Sequence, residues 1–290
     1  MRVAIIGGYG KMGLWFADFL LKDGKEVILA GRNEQKLLAA KQQFREVEIT
    51  SNTEAVKKAD VIIISVPINN FEMAVSEIAP YVNSNQIVLD ITSIKDMPVK
   101  TMHKYIRTGK TLGTHPMFGP AAKSLKNQNI VLTPTNDDER ALAQKVQSYL
   151  ECKEARVSLM TPREHDELAT IVLGLAHFIG MVSADTLLSL DKLKQLNPVA
   201  GTTYKVLLTL VMGVVSRDPE FYATLQMSLP NMTEIEERFL NCVKTWVDVI
   251  KKKDKPEFIH RMNSLKEKLA KEDTDFADAY ETMYKLAEEI

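Results

Sequence analysis

Arg2-Val3-Ala4-Ile5-Ile6-Gly7-Gly8-Tyr9-Gly10-Lys11-Met12-Gly13 follows the initial Met1, and its reading decides the fold. Val3 to Ile6 is apolar without alternation, which predicts a strand covered on both faces. Met12 to Lys22 carries apolar residues at helical spacing, and Gly24 ends that helix. Between them Gly8, Gly10 and Gly13 fit the spacing G-x-G-x-x-G in its required context, strand before and helix after. The first glycine permits a tight turn, the second lets backbone approach a pyrophosphate, and the third lets helix and strand pack closely. The helix start offers unpaired N–H groups and the positive end of its dipole. Gly8, Tyr9, Gly10, Lys11, Met12 and Gly13 are therefore the expected phosphate-side contacts of a dinucleotide.

Outward from this turn the pattern repeats. Strands are expected at Val27–Ala30, Val47–Ile49, Val61–Val66, Gln86–Asp90, Thr111–Gly113, Ile130–Thr133 and Arg156–Leu159. Helices fall between them, one capped by Asn33, a short one capped by Thr53, and others over Phe71–Tyr81, Pro98–Ile106 and Asp137–Leu150. Buried strands alternating with helices predict a parallel, doubly wound sheet of Rossmann type over residues 1–160. From Thr161 onward no strand is expected. Thr161-Pro162-Arg163-Glu164 starts a helix, and breaks come near Asn197-Pro198, Asp218-Pro219 and Leu229-Pro230-Asn231. Residues 161–290 are expected to form an all-helical domain for substrate binding and dimerisation.

Three strand ends carry the chemistry. The second strand ends in Gly31-Arg32-Asn33, with no acid to hold ribose hydroxyls. Arg32 is suited to a 2′-phosphate, so NADP is favoured over NAD. Ser65, Val66 and Pro67 end the fourth strand and line the same crevice. The next two ends, Asp90-Ile91-Thr92-Ser93 and Thr114-His115, bring Ser93 and His115 toward the nicotinamide. His115 is expected in an exposed turn before Pro116, placed to move a proton near neutral pH.

Composition removes other classes. The chain has 290 residues, 45% hydrophobic and 26% charged, with net charge −1, so no global basic field attracts nucleic acid. Lys251 to Lys255 reads as a solvated helix end. Cys152 and Cys242 lack metal-ligand spacing, and no metal site or disulfide framework is expected. A reducing cytoplasm is the expected compartment, and the N-terminal strand does not read as a signal peptide. Leu168 to Leu190 is long enough to span a bilayer but carries His177 and Asp185, which predicts a helix buried in protein instead. His165 reads as structural, and His103 and His260 as surface residues.

Four segments together resemble the prephenate dehydrogenase family of tyrosine biosynthesis, its archaeal-type members in particular. They are the glycine loop, Asp90-Ile91-Thr92-Ser93-Ile94-Lys95, Thr114-His115-Pro116-Met117-Phe118-Gly119-Pro120, and Glu164-His165-Asp166 followed by Gly174-Leu175-Ala176-His177-Phe178. The resemblance implies oxidative decarboxylation of prephenate to 4-hydroxyphenylpyruvate with hydride transfer to a nicotinamide. It implies that His115 accepts the ring hydroxyl's proton, that Ser93 orients that group, and that His177 binds substrate. It also implies a homodimer formed through the helical domain. Many members hold the ring carboxylate with a helical-domain arginine. Here the matching stretch is Leu210 to Pro219, where Arg217 falls a few residues later, so Arg217, Lys205 and Lys123 are all candidates. Arogenate is the alternative substrate. Other two-domain hydroxy-acid or imine reductases place a lysine on the first helix after the sheet, and none occurs from Thr161 to Asp191. A non-enzymatic nucleotide sensor would not need Ser93 and His115.

Overall fold

A computed structural model describes residues 1–290. It divides into two compact units, Met1–Ala169 and Thr170–Ile290.

The first unit is built on one sheet of eight strands. They are β1 (Arg2–Ile6), β2 (Glu26–Ala30), β3 (Glu48–Thr50), β4 (Val61–Ile64), β5 (Ile87–Asp90), β6 (Lys110–Pro116), β7 (Asn129–Thr133) and β8 (Arg156–Leu159), in spatial order β3-β2-β1-β4-β5-β6-β7-β8. Helices α1 (Lys11–Lys22), α2 (Glu34–Gln43), α3 (Asn52–Lys58), α4 (Phe71–Ile78), α5 (Asp96–Tyr105) and α6 (Asp137–Glu151) connect most of them. Two faces explain the unbroken apolar run of β1. Val3 and Ile5 pack with Phe16, Leu20 and Leu37 of α1 and α2, while Ala4 and Ile6 pack with Val56, Phe71, Val75 and Met102 of α3 to α5. Each fully buried Val or Ile contributes about 1.5–3 kcal/mol.

The first six strands are parallel, as the alternation predicts. β7 then runs antiparallel to β6, and β8 parallel to β7. The cause is the β6–β7 link, 117–128, which contains no helix to carry a crossover. The α3 cap is also corrected. Ser51, not Thr53, accepts the Glu54 N–H, at 3.4 Å.

Sequence reading divides the chain at residue 160, but packing carries the first unit on through α7 (Pro162–Ala169). A reciprocal cap starts α7: Glu164 Oε2 accepts from Thr161 N at 2.8 Å, and Thr161 Oγ1 from Glu164 N at 3.2 Å. Asp166 then accepts the backbone N–H of Lys95 at 2.6 Å and of Asp96 at 2.9 Å, which ties α7 to the start of α5.

The second unit is helical: α8 (Ala176–Ser189), α9 (Leu193–Leu196), α10 (Thr202–Val215), α11 (Pro219–Ser228), α12 (Met232–Lys251), α13 (Lys255–Glu272) and α14 (Ala279–Glu288). A π-helical stretch, Thr170–Leu175, precedes α8, and Gln226 Nε2 donates to its Gly174 carbonyl at 2.9 Å. α8 and α10 approach closely at Gly180, where a Cβ would stand 2.9 Å from Val214 Cγ2. The 28-residue helical run Pro162–Ser189 contains an 18-residue window of mean hydropathy 1.8, long and apolar enough to cross a membrane by length and composition. Only 11% of that window is buried within its own chain, so cover from other protein, expected for this helix, does not come from the chain itself.

Candidate active site

The glycine turn forms a cradle at the carboxyl end of β1. Gly7 and Gly8 both donate to Ala30 O, at 2.8 and 3.0 Å. The left-handed residue of the turn is Gly7, at φ 78°, one position before the glycine expected to make it. Gly13 permits the helix to close on the turn, since a Cβ there would lie 2.8 Å from Gly8 Cα. Gly10 is the N-cap of α1 and supplies no side-chain cap, so the first-turn N–H groups of Lys11 and Met12 are left without an intrahelical partner. Tyr9 lays its ring on Gly31, where a Cβ would meet Cε1 at 2.3 Å. Ser65 N donates to Ile6 O at 2.8 Å, bringing the end of β4, with half-buried Val66 and exposed Pro67, to the same edge.

Beside the end of β2 a pocket of about 270 Å³ is lined by Gly31, Arg32, Glu34, Leu37, Ile49, Thr50 and Ser51. Arg32 is exposed and its Nη1 lies 3.6 Å from Met73 Sδ. Asn33 caps α2, its Oδ1 accepting from Lys36 N at 2.9 Å, so its role is in the helix start. A bare helix N-terminus, a glycine turn and this pocket fit the pyrophosphate and adenosine ends of a dinucleotide.

His115 is corrected in setting. It lies in β6, paired with Val131, and is 4% exposed instead of open in a turn. The strand runs on past Gly113 because Met117 N reaches Asn129 O at 2.9 Å. Register places it usefully: Ile6, Ile64, Asp90 and Gly113 align across β1, β4, β5 and β6. His115 stands two residues beyond that line, on the side of the glycine cradle. Ser93 is half-buried past the end of β5, with no hydrogen bond joining it to His115.

A chain of bonds backs His115. Its Nδ1 lies 2.8 Å from His165 Nε2, and His165 Nδ1 lies 2.8 Å from Asp166 Oδ1. Burial pushes the His115 imidazole well below its usual pKa, and positive charge nearby, on Lys95 and on His165 whenever that ring is protonated, adds to this. Lys95 is fully buried. Its ammonium pairs with Asp90 and donates to Thr114 O at 2.6 Å. Burial lowers its pKa against the opposing charges of Asp90 and Asp166. Asp90 also accepts from Thr92 Oγ1 at 2.5 Å and Thr114 N at 3.3 Å, so the residue before His115 is clamped from two sides.

His165 was expected to be merely structural, yet it touches His115 directly. Asp90, Lys95 and Asp166 also lie outside the expected site. All four belong to quoted motifs, but nothing local signals that residues 50 apart share a bond. His103 is corrected too: it is half-buried and bonded to buried Glu139 at 2.5 Å.

The remaining candidates separate. Lys123 is exposed in the loop after β6, in the first unit. Within the second unit, His177 stacks edge-on against Tyr222 with centroids 4.7 Å apart. Burial lowers the His177 pKa, and the Arg217 charge lowers it further. Arg217 is exposed after α10, while Lys205 is exposed near its start.

Comparison with known proteins adds lineage to this geometry. The family model for the prephenate dehydrogenase nucleotide-binding domain matches residues 16–159, and that for the prephenate dehydrogenase dimerization domain matches residues 161–264. A probable arogenate/prephenate dehydrogenase of Methanocaldococcus jannaschii is 35% identical over 265 residues, covering 90% of this chain and 59% of that protein. The T-protein of Haemophilus influenzae is 29% identical over 232 residues, covering 78% and 56%. The chain thus spans less than three-fifths of the length of these two curated relatives. A crystal structure of prephenate dehydrogenase from Aquifex aeolicus with hydroxyphenyl propionate and NAD+ shares the fold, with TM-score 0.77 at 20% identity, covering 94% of this chain and 98% of that one. The two family matches run through most of the sequence, and the chain belongs to the prephenate dehydrogenase family.

Proposed function

We propose that this chain oxidises prephenate to 4-hydroxyphenylpyruvate and carbon dioxide. A bound nicotinamide supplies the hydride acceptor. The chain's own contribution is to the proton. The C–H bond of the carbinol carbon leaves as hydride while His115 takes the hydroxyl proton, which favours the departure by building charge on that oxygen. The bond to the ring carboxylate then breaks. Its electron pair aromatises the ring, and the oxygen regains a proton as a phenol. Ser93 orients the hydroxyl, and His177 with Arg217 holds a carboxylate of the dianion, with Lys205 and Lys123 as the other cations considered. The observation that carries this reading is a buried imidazole, where burial disfavours the cation, two residues past the aligned ends of β1, β4 and β5.

Arg32, with the Thr50 and Ser51 hydroxyls, favours NADP through its 2′-phosphate. Glu34 in the same pocket is the group that would favour NAD. Exposed apolar side chains on the helical unit, among them Leu188, Leu210, Met212 and Val215, suit a homodimer. The family match to a dimerization domain supports this.

The test is steady-state absorbance of reduced nicotinamide with prephenate or arogenate and with either cofactor. Prephenate with NADP should be turned over best. His115→Asn should lose about 10²–10⁴-fold in turnover with cofactor binding intact. Full activity in that variant removes the role given to His115. A clear NAD preference, unchanged in Arg32→Ala, removes the cofactor assignment. Light scattering at the 32.6 kDa monomer mass at all concentrations removes the dimer.

A further inference from the structure

We infer that His165 and Asp166 act as a positioning pair, fixing His115 in the tautomer whose Nε2 carries the lone pair. The inference rests on the proposed role of His115 as proton acceptor, but its first readout does not.

Asp166 anchors this chain of bonds. Its two carboxylate oxygens accept the Lys95 and Asp96 backbone N–H groups, at 2.6 and 2.9 Å. A carboxylate in that position is an acceptor, so His165 Nδ1, 2.8 Å from Oδ1, carries a proton and donates it. A neutral imidazole has one N–H, which leaves His165 Nε2 with a lone pair. His115 Nδ1 lies 2.8 Å from that nitrogen and must therefore be the donor. His115 Nε2 is then unprotonated, and the bond to His165, made through Nδ1, leaves it unengaged.

Burial makes this arrangement binding. His165 is 2% exposed and Asp166 6%, so water is a poor substitute for either. Lys95, the nearest cation, spends its ammonium on Asp90 and Thr114 O and does not contact the imidazoles. When His115 gains a proton it becomes a cation donating to His165, whose own partner is anionic Asp166. The positive charge thus forms at the end of a bond chain that terminates in a carboxylate. His165 bonds His115 from its Nδ1 side and acts through it.

The experiment combines a spectroscopic and a kinetic readout. Long-range ¹H–¹⁵N correlation of histidine-labelled protein, with His115 assigned by its loss in His115→Asn, reports which ring nitrogen is protonated. Wild type should show Nδ1–H and a bare Nε2. His165→Met, which offers no comparable acceptor, should populate the opposite tautomer. It should also lose at least about tenfold in kcat, within the range a general base supplies, with cofactor affinity unchanged and the folded state retained. His165→Gln, which keeps an acceptor oxygen, should restore the tautomer and most of that loss. An Nε2–H signal in wild type overturns the inference, and so does His165→Met with unaltered tautomer and kcat. Should His165→Met fail to fold, the wild-type spectrum decides alone. If His115→Asn remains active while wild type shows Nδ1–H, the proposed reaction role fails and the tautomer assignment stands.

Discussion

Along the bonds running from Asp90 to Asp166 in the sheet unit, every buried polar side chain has a partner, whereas in the helical unit His177 Nδ1, Tyr204 OH and Gln226 Oε1 are enclosed without one. Apart from the His115 Nε2 lone pair, the enclosed atoms Asn52 Oδ1 and Thr133 Oγ1 stand unpaired in the sheet unit, neither on the chain behind His115. An enclosed polar atom left unpaired costs about 1–3 kcal/mol. On the proposed reading, the sheet unit has therefore completed its proton-handling site from its own residues. The helical unit carries a deficit that a polar ligand would offset, and it leaves apolar side chains open as well. On the proposed reading, one unit prepares chemistry and the other waits for substrate and a second copy of itself.

The comparison breaks most easily at Lys95. Lys95 and Asp90 are wholly buried and paired, so Lys95→Met leaves an uncompensated carboxylate inside the sheet unit. A loss of about 3–5 kcal/mol is expected. It should appear as a lower urea midpoint with the same slope. Lys100→Met, which removes an exposed partner of Asp96, should change stability by less than about 1 kcal/mol. Equal effects from the two variants would show that the sheet unit's network is not the tight structure described.

A smaller effect sharpens the other side. Arg217 is close enough in charge to depress the His177 imidazole and to oppose the upward push of burial on Tyr222. If those groups meet a substrate carboxylate, Arg217→Ala loses a charged hydrogen bond worth about 1.5–3 kcal/mol, roughly 10- to 100-fold in KM for prephenate. Cofactor KM should not move. The same substitution at Lys205 or Lys123 should leave prephenate KM nearly unchanged. A large rise at Lys205 and none at Arg217 would move the cation to the start of α10.

What sequence made legible follows the same division. The glycine turn, the two-faced run of β1 and the Asn33 cap are local, and each is written within a few residues. The reversal at β7 depends on the absence of a helix over 117–128, a segment whose Gly119, Pro120 and Asn127 mark a loop but not a direction. The extension of β6 to include His115 depends on pairing with β7, which is non-local. The His115–His165 bond joins residues 50 positions apart. The helical unit was legible as helices but not as a surface, because apolar periodicity does not say whether a stripe faces its own chain or another.

Acid titration separates two histidines of the sheet unit by sign, with the smallest expected effect. An unfolded histidine titrates near about pH 6.5. His115 in the folded chain titrates well below that, because burial disfavours its cation. Between the two values the unfolded state holds a proton that the folded state refuses, so stability falls as pH drops below about 6.5. His103 is the reverse. Its bond to Glu139 raises its pKa, so it contributes stability that is fully present below about pH 6.5 and is lost as pH rises through the folded value. Urea unfolding from about pH 8 to about pH 5 measures both, His115 contributing at most about 1.4 kcal/mol per pH unit and the partly exposed His103 less, its pairing being screened by solvent. Relative to His115→Asn, wild type should lose stability on acidification. Relative to His103→Gln, it should gain. Two differences of the same sign would mean that one of these imidazoles is not held as described, and the tautomer spectrum of His115 would show which.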